Sequence, residues 1–418
     1  MWFLSRSETL STFFPTWIWQ GREWRKGNVP RCDPHYWLNA HSHPVLSTYY
    51  PTGILTAYIG SFLSLDLAFN LYIIHYLLHF GFMLAGWYSV LGMGCSPLVA
   101  LIGAITMTFQ AYHLKQQACI VYTLSWFPWM LYGLISHNIL ISSSSIGAIL
   151  LAGYYPLAIY LLPVSLTFWQ WIPIGLGLLL GSVQVIPFLK YLPKTIKKAH
   201  TEIKTPSYEN NFYFGWTPII VLGLTFKPSY LSAYIWLAIC ILIKNYLPRV
   251  HQRAYLLISY LLIYYFIVGI SSLSQSQLIL ILIVQCADLY WHNRECLPAR
   301  PFVELYEKPS KAFNNKLTKY LDSNLGDARV SGLPYPLFTG LVNNFKTIGY
   351  CGSMQLKLMA KWRGDNDPNG SGHHDYFRGK EDIGPLVTAR VKYIYSVKGL
   401  NLPSTGIRNL YINPDYSN

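Results

Sequence analysis

The stretch AFNLYIIHYLLHFGFMLAGWYSVL, residues 68–91, runs for 24 positions without an Asp, Glu, Lys or Arg. A straight helix needs about 20 such residues to cross the hydrocarbon layer of a bilayer, so the segment predicts a transmembrane span. Its surroundings extend the pattern. Between Thr52 and Phe188 the only formally charged side chains are Asp66 and Lys115. A water-soluble fold of that length needs a charged surface, whereas a helix bundle in lipid excludes one.

Further apolar segments, bounded by Pro, Gly or polar breaks, lie near 53–66, 96–113, 117–137, 139–155, 157–169 and 171–189, then near 215–226, 229–246, 254–271 and 277–292. Several are too short to cross a bilayer alone, which predicts nine to eleven spans with some re-entrant or paired across a break. Trp126, Trp129, Trp169, Trp171, Trp236 and Trp291 sit near segment ends, as interfacial aromatic belts do. The fold expected is mostly α: a polytopic transmembrane helix bundle over 52–292, preceded by an interfacial loop region over 1–51 and followed by a small extramembrane α/β domain over 293–418. Within that last part DARVSGL (327–333), KTIGYCG (346–352) and ARVKYIYSV (389–397) alternate like strands, and WRGDNDPNGSGHHD (362–375) reads as a turn-rich loop.

The whole chain fits this division. Of its 418 residues 52% are hydrophobic and 12% charged, with a mean hydropathy of +0.27, against about 25% charged in an ordinary soluble domain. The net charge of +14 is concentrated in loops and in the tail: residues 190–253 alone hold nine basic and two acidic side chains. Such loops fit anionic headgroups, a cytoplasmic side or an anionic substrate, and nucleic acid is not an expected partner. The basic loop over 190–214 and the loop over 244–253 would both be cytoplasmic by the positive-inside rule. The seven cysteines are scattered with no Cys-x-x-Cys pair and no zinc-ligand spacing, so neither a disulfide framework nor a metal is expected. No apolar stretch in the first 51 residues has the form of a signal peptide.

Four local patterns, in order, resemble the YfhO family of bacterial membrane proteins. They are SETLSTFFP (7–15) with GNVPRCDPHYWLNAHSHPVLSTYYP (27–51), LHFGFMLAGWYSVL (78–91), GSVQVIPFLKYLP (181–193), and a tail set of GDARVSGLP (326–334), ARVKYIYS (389–396) and LYINPDYSN (410–418). Cys32 and Ala40 stand where the family's turn has Trp and Gly. Met1 falls inside what resembles the family's first external loop and Asn418 at a strand beyond which its members continue. That is the pattern of a fragment, a mis-started frame or a decayed relative.

The resemblance implies a glycosyltransferase of the GT-C type in the cell membrane, multi-pass, with the C-terminal domain extracytoplasmic. It also puts the loop after residue 190 outside, against the positive-inside reading. Its implied partners are membrane lipid, a polyprenyl-phosphate-linked sugar as donor and an envelope glycopolymer or glycolipid as acceptor, with no cofactor.

Moving a sugar from a lipid phosphate to a hydroxyl requires a base and a way to hold the departing phosphate. The resemblance gives the base to Glu8, seven residues before Pro15, where the family has Asp. Asp33 is the second candidate carboxylate, and its competing reading is an Asx turn with the Pro that follows. His41 and His43 flank Ser42 in the substrate loop and lack a third metal ligand. Lys194, Lys197 and Lys198, with His200, are the candidate phosphate ligands. At helical spacing the three lysines would share one face, and the alternative is a cytoplasmic anchoring loop. His75 and His79 share a helical face inside a span, a position that predicts function or an interhelical hydrogen bond. Asp66, His75, His79, Lys115 and Asp288 are also the few polar residues available to the main rival, a transporter or flippase of a lipid-linked or anionic solute; a third reading is a catalytically inactive envelope-assembly protein.

Overall fold

A computed structural model describes residues 13–30, 47–114, 118–191, 195–196, 213–224, 250–293, 309–331, 342–343, 346–348, 355–356, 391–395, 403–408 and 410–413. Helices dominate, and the apolar sequence is cut into them at positions its punctuation marks. In chain order they are α1 (Phe14–Arg25), α2 (Pro51–Gly60), α3 (Leu65–Gly92), α4 (Pro97–Thr108), α5 (Ala111–Leu114), α6 (Ala118–Ser125), α7 (Phe127–Ile135), α8 (Ile139–Leu151), α9 (Tyr155–Leu166), α10 (Trp171–Tyr191), α11 (Trp216–Leu224), α12 (Val250–Ile270), α13 (Gln275–Asn293), α14 (Pro309–Phe313) and α15 (Lys316–Asn324). A proline occupies the first turn of α1, α2, α4, α7 and α9, where its missing N–H has no helical partner to lose. The Asn138 side chain caps α8 by accepting from Ile141 N at 3.1 Å.

Among the described residues three helical stretches are long and apolar enough to cross a membrane: Leu65–Gly92, Ala118–Ile135 and Trp171–Lys190. Pro97–Thr108, Ile139–Leu151 and Ile258–Ile270 are apolar but shorter. Every predicted segment except 229–246, which lies outside the described residues, therefore carries a helix, though those in 53–66, 96–113, 139–155, 157–169 and 215–226 stop short of spanning length. The predicted loop over 1–51 also differs: Phe14–Arg25 is a helix whose Phe14, Trp17, Ile18 and Gly21 are buried.

The chain divides into two compact units. One comprises Met1–Ser5, His75–Val183 and Lys204–Pro298; the other comprises Arg6–Ile74, Gln184–Ile203 and Ala299–Asn418. The division passes through α3 and α10. Aromatic packing accounts for the N-terminal part: in the second unit the Phe14 ring lies 5.1 Å from Phe69, 5.9 Å from Tyr72 and 6.2 Å from Phe313. Asp66 joins in, accepting at 2.9 Å from Ser310 N and at 2.8 Å from Ser310 Oγ, which ties the start of α14 to α3.

In the first unit, α8 and α10 approach through small residues. A Cβ at Gly177 would lie 2.5 Å from Ile146, and one at Gly181 would lie 2.5 Å from Leu150. Such small-residue contacts are how helices associate where lipid removes the hydrophobic driving force. The outward side of α10 is the reverse, with Leu178 and Leu179 exposed.

The second unit also contains a four-stranded sheet of β2 (Arg329–Ser331), β3 (Lys346–Ile348), β5 (Val391–Tyr395) and β6 (Leu410–Ile412) in the order β3-β2-β5-β6. β2 is parallel to β3 and β5, and β6 is antiparallel to β5. These first three strands fall inside the three predicted alternating runs. Leu321 and Leu325 from α15 and its C-terminus pack with Val330, Tyr393 and Leu410. A capping box between Asn315 and Thr318 starts that helix. The pair β1 (Thr195–Ile196) and β4 (Gln355–Leu356) is antiparallel. Because Thr195–Ile196 is a strand, the helical periodicity used to put Lys194, Lys197 and Lys198 on one face does not hold through these two residues.

Candidate functional site

The most polar buried region among the described residues lies in the first unit, where the apolar segment 96–113 breaks. α4 stops at Thr108, and Phe109 takes φ −100° and ψ 18° before α5 resumes at Ala111. A broken helix leaves backbone groups that lipid cannot satisfy, so side chains or neighbouring segments must do so. The residues FQAYH (109–113) supply them. Gln110 and His113 are fully buried. Gln110 Nε2 donates to Met107 O at 3.1 Å, and Ala111 N donates to Tyr213 O at 2.8 Å.

The geometry fixes the tautomer of His113. Its Nδ1 is 3.0 Å from Thr108 O, which can only accept, so Nδ1 carries a hydrogen. Nε2 of the neutral ring is then the acceptor, and Tyr260 OH donates to it at 2.8 Å. Tyr260 is itself held between Trp87, at 4.8 Å between ring centres, and Phe127, stacked at 5.6 Å. Next to it on α12, Ser259 Oγ lies 2.8 Å from Gln110 Oε1 and 2.7 Å from Leu256 O. One hydroxyl hydrogen cannot serve both acceptors at full strength. The result is a clamp that closes the α4–α5 break onto α12.

A second polar group borders the same break. Asp288 on α13 accepts from Tyr213 OH at 2.5 Å and from Trp216 N at 2.6 Å, so one carboxylate caps α11 from another helix. Partial burial and then this carboxylate push the Tyr213 phenol well above the usual tyrosine range. Tyr213 also stacks on His292, with ring centres 3.7 Å apart. Gly215, in the chain between Tyr213 and Trp216, has φ +109°, and a Cβ there would come within 2.5 Å of the Gln285 amide, so both backbone and space require glycine. Gln285 Nε2 donates to Phe214 O at 2.8 Å, and Asn293 Nδ2 reaches Phe109 O at 3.4 Å.

Three buried oxygens around this region, Thr108 Oγ1, Gln285 Oε1 and Asn293 Oδ1, have no hydrogen-bond partner among the described residues. Buried polar atoms are normally paired, so these are unused capacity for a polar molecule with hydroxyl or water hydrogens. Among the described residues no group of three or more His, Cys, Asp or Glu could hold a metal.

His75 and His79 form a third cluster. His79 Nδ1 donates to His75 O at 2.7 Å, and His75 Nδ1 pairs with Tyr122 OH on α6 at 3.0 Å. Both rings lie within 5 Å of the Tyr122 ring. The expected interhelical hydrogen bond is therefore present.

Glu8, Asp33, His41, His43, Lys194, Lys197, Lys198 and His200 all lie outside the described residues, as do Lys115, His373 and His374. Asp66 serves as the cap of α14. Sequence reasoning missed Gln110, His113, Tyr213, Ser259 and Tyr260. One signal was available, the polar pair Gln110 and His113 inside an apolar segment. Their partners on α12 are 149 and 147 residues away and carry no local mark. A scan against protein-family models and a search of curated proteins find no match.

Proposed function

We propose that this chain is a multi-span membrane glycosyltransferase that moves a sugar from a polyprenyl-phosphate carrier to a cell-envelope acceptor. The observation that carries the membrane part is the pairing of spanning length with outward apolar surface. Trp171–Lys190 is long and apolar enough to cross a bilayer, and Leu178 and Leu179 are exposed on its outer side. In water such a surface would drive association; in hydrocarbon it is the ordinary exterior. The transfer chemistry rests on the ordered resemblance of four segments to the YfhO family, which includes the GT-C plan and an extracytoplasmic tail.

In this reading Glu8 takes the proton from the acceptor hydroxyl as its oxygen attacks the anomeric carbon. The bond from that carbon to the phosphate oxygen breaks, and polyprenyl phosphate leaves. Asp33 is the alternative base, His41 and His43 flank the substrate, and Lys194, Lys197, Lys198 and His200 hold the phosphate. The test is transfer from labelled polyprenyl-phosphate sugars in membranes, comparing the native chain with Glu8→Gln and Asp33→Asn. Loss in Glu8→Gln alone supports the reading and its base; no transfer by a folded native chain with any donor counts against it.

One observation favours a second reading, a transporter. The buried polar clamp sits at a break in an apolar segment, the arrangement by which transporters build solute sites from discontinuous helices. Solute uptake into proteoliposomes that is abolished by Gln110→Leu, with sugar transfer absent, would favour it.

A further inference from the structure

The inward and outward faces of α2 are the reverse of those on a soluble amphipathic helix. Its buried residues are Gly53, Ala57 and Gly60, all small. Ala57 and Gly60 meet α1 at close range: a Cβ at Gly21 would lie 1.9 Å from Ala57 O, and one at Gly60 would lie 2.4 Å from the Trp17 ring. The large side chains point outward instead. Leu55 is 60% exposed with Tyr58 and Ile59 exposed beside it, and Phe62, just past the end of the helix, is 60% exposed as well. A water-facing helix would turn those four inward, so the environment outside α2 is apolar. At 10 residues, α2 rises only about 15 Å and reaches roughly half the hydrocarbon depth.

α1 carries the opposite character at its C-terminal end. Arg22, Glu23, Arg25 and Lys26 cluster there, beside the C-terminus of α2. Glu23 is turned back on its own helix, accepting from Lys26 Nζ at 2.7 Å and Asn28 Nδ2 at 3.1 Å. Arg25 is exposed and pairs with no carboxylate among the described residues. One of its nitrogens donates to Ser61 O at 3.0 Å, and the guanidinium lies over the Phe62 ring, 5.0 Å from its centre. Both contacts hold the guanidinium at the junction of charged and apolar surface. Its remaining N–H donors stay available, in the fork geometry that suits a phosphate.

We propose that the corner between α1 and α2 binds the phosphate headgroup of an anionic phospholipid. Arg25 is the ligand, Lys26 stands beside it, and the outward face of α2 lies against the acyl chains. The charge complements an anionic headgroup, the apolar face requires hydrocarbon at the same level, and the close α1–α2 contact keeps the two in register. The site involves none of the residues assigned to sugar transfer, so its test needs no donor sugar.

The test is native mass spectrometry of the full chain in a neutral detergent with equal phosphatidylglycerol and phosphatidylcholine. The readout is the ratio of bound anionic to zwitterionic lipid. A basic residue at the membrane surface contributes about fivefold, and Lys26 is partly neutralised by Glu23. The variant with Arg25→Gln and Lys26→Gln should therefore lower the ratio roughly five- to tenfold. Phe62→Ala should weaken both lipids and leave the ratio near its original value. Excess inorganic phosphate should leave the lipid bound, because the acyl chains contribute; displacement would mark a free-phosphate site and overturn the docking. On the unaltered chain the ratio should fall as salt rises, which tests the idea even if the double variant does not fold. An unchanged ratio in a folded double variant, or a salt-independent ratio, refutes the proposal.

Discussion

Replacing the glycines between α8 and α10 by alanine should divide them by sign, and the structure sets the division. Gly175, Gly177 and Gly181 lie on α10 within two turns of one another. A Cβ at Gly175 meets nothing within 4 Å. Gly175→Ala therefore gains helix propensity without a clash, a stabilisation of about 0.5–1 kcal/mol. At Gly177 the new atom would sit 2.5 Å from Ile146 Cβ and Cγ2 and 2.9 Å from Ser143 O; at Gly181 it would sit 2.5 Å from Leu150 Cβ and Cδ1. Comfortable carbon contacts begin near 3.5 Å, so the helices must separate by roughly 1 Å or bend. The Cβ carbons of Ile146 and Leu150 and the Ser143 backbone oxygen cannot swing aside as the tip of a long side chain does. Overpacking of this kind costs about 1–3 kcal/mol, which outweighs the gain in propensity and leaves each variant roughly 1–2 kcal/mol less stable. Equilibrium unfolding of the full chain in mixed micelles titrated with sodium dodecyl sulfate, followed by far-ultraviolet circular dichroism, gives the three values. If Gly177→Ala and Gly181→Ala proved as stable as Gly175→Ala, the close approach of α8 and α10 would be wrong.

Three further outcomes follow from the polar contacts. His113→Leu and Tyr260→Phe should be coupled by about 1–1.5 kcal/mol in a double-mutant cycle, near the upper end for hydrogen bonds between membrane helices, because both groups are fully enclosed; a coupling near zero would remove the clamp. Asp66→Asn should cost about 1 kcal/mol, and little more in combination with Ser310→Ala, since both remove one cap; full additivity in the same unfolding assay would argue against the pair. Tyr213 has a folded-state pKa above its unfolded value of about 10, so its contribution is complete below pH 10 and declines as pH rises further. Between pH 9 and 12 the native chain should therefore lose stability more steeply than Tyr213→Phe, and equal slopes would contradict the Asp288 contact.

Much of the helical pattern was legible because its punctuation is chemical. Pro51, Pro97, Pro156 and Asn138 each open a helix at a position where the apolar sequence is interrupted. The strands at 329–331, 346–348 and 391–395 were legible from alternation. α1 was not. Its Trp, Pro and Arg content reads as an interfacial loop, and its burial depends on the small-residue stripe of α2, which only tertiary contact reveals. Helix lengths were overestimated where tertiary contacts stabilise a break, as at Phe109, because an apolar run records lipid or core exposure without recording where the backbone bends. The clamp was hidden for another reason: Gln110 finds its partner on α12, and sequence spacing says nothing about a contact across 149 positions. The lysines after residue 190 carried a helical assumption that the strand at Thr195–Ile196 removes.

The account depends first on the outward apolar face of α10 lying in hydrocarbon, and Leu179, 69% exposed, is the position to measure. A nitroxide attached at Leu179→Cys, in the reconstituted full chain with its native cysteines replaced, can be challenged with oxygen, which concentrates in the bilayer, and with a water-soluble nickel chelate. Strong relaxation by oxygen and weak relaxation by nickel is the predicted result. Strong relaxation by nickel would put Leu179 in water and contradict the membrane assignment on which the proposed function rests.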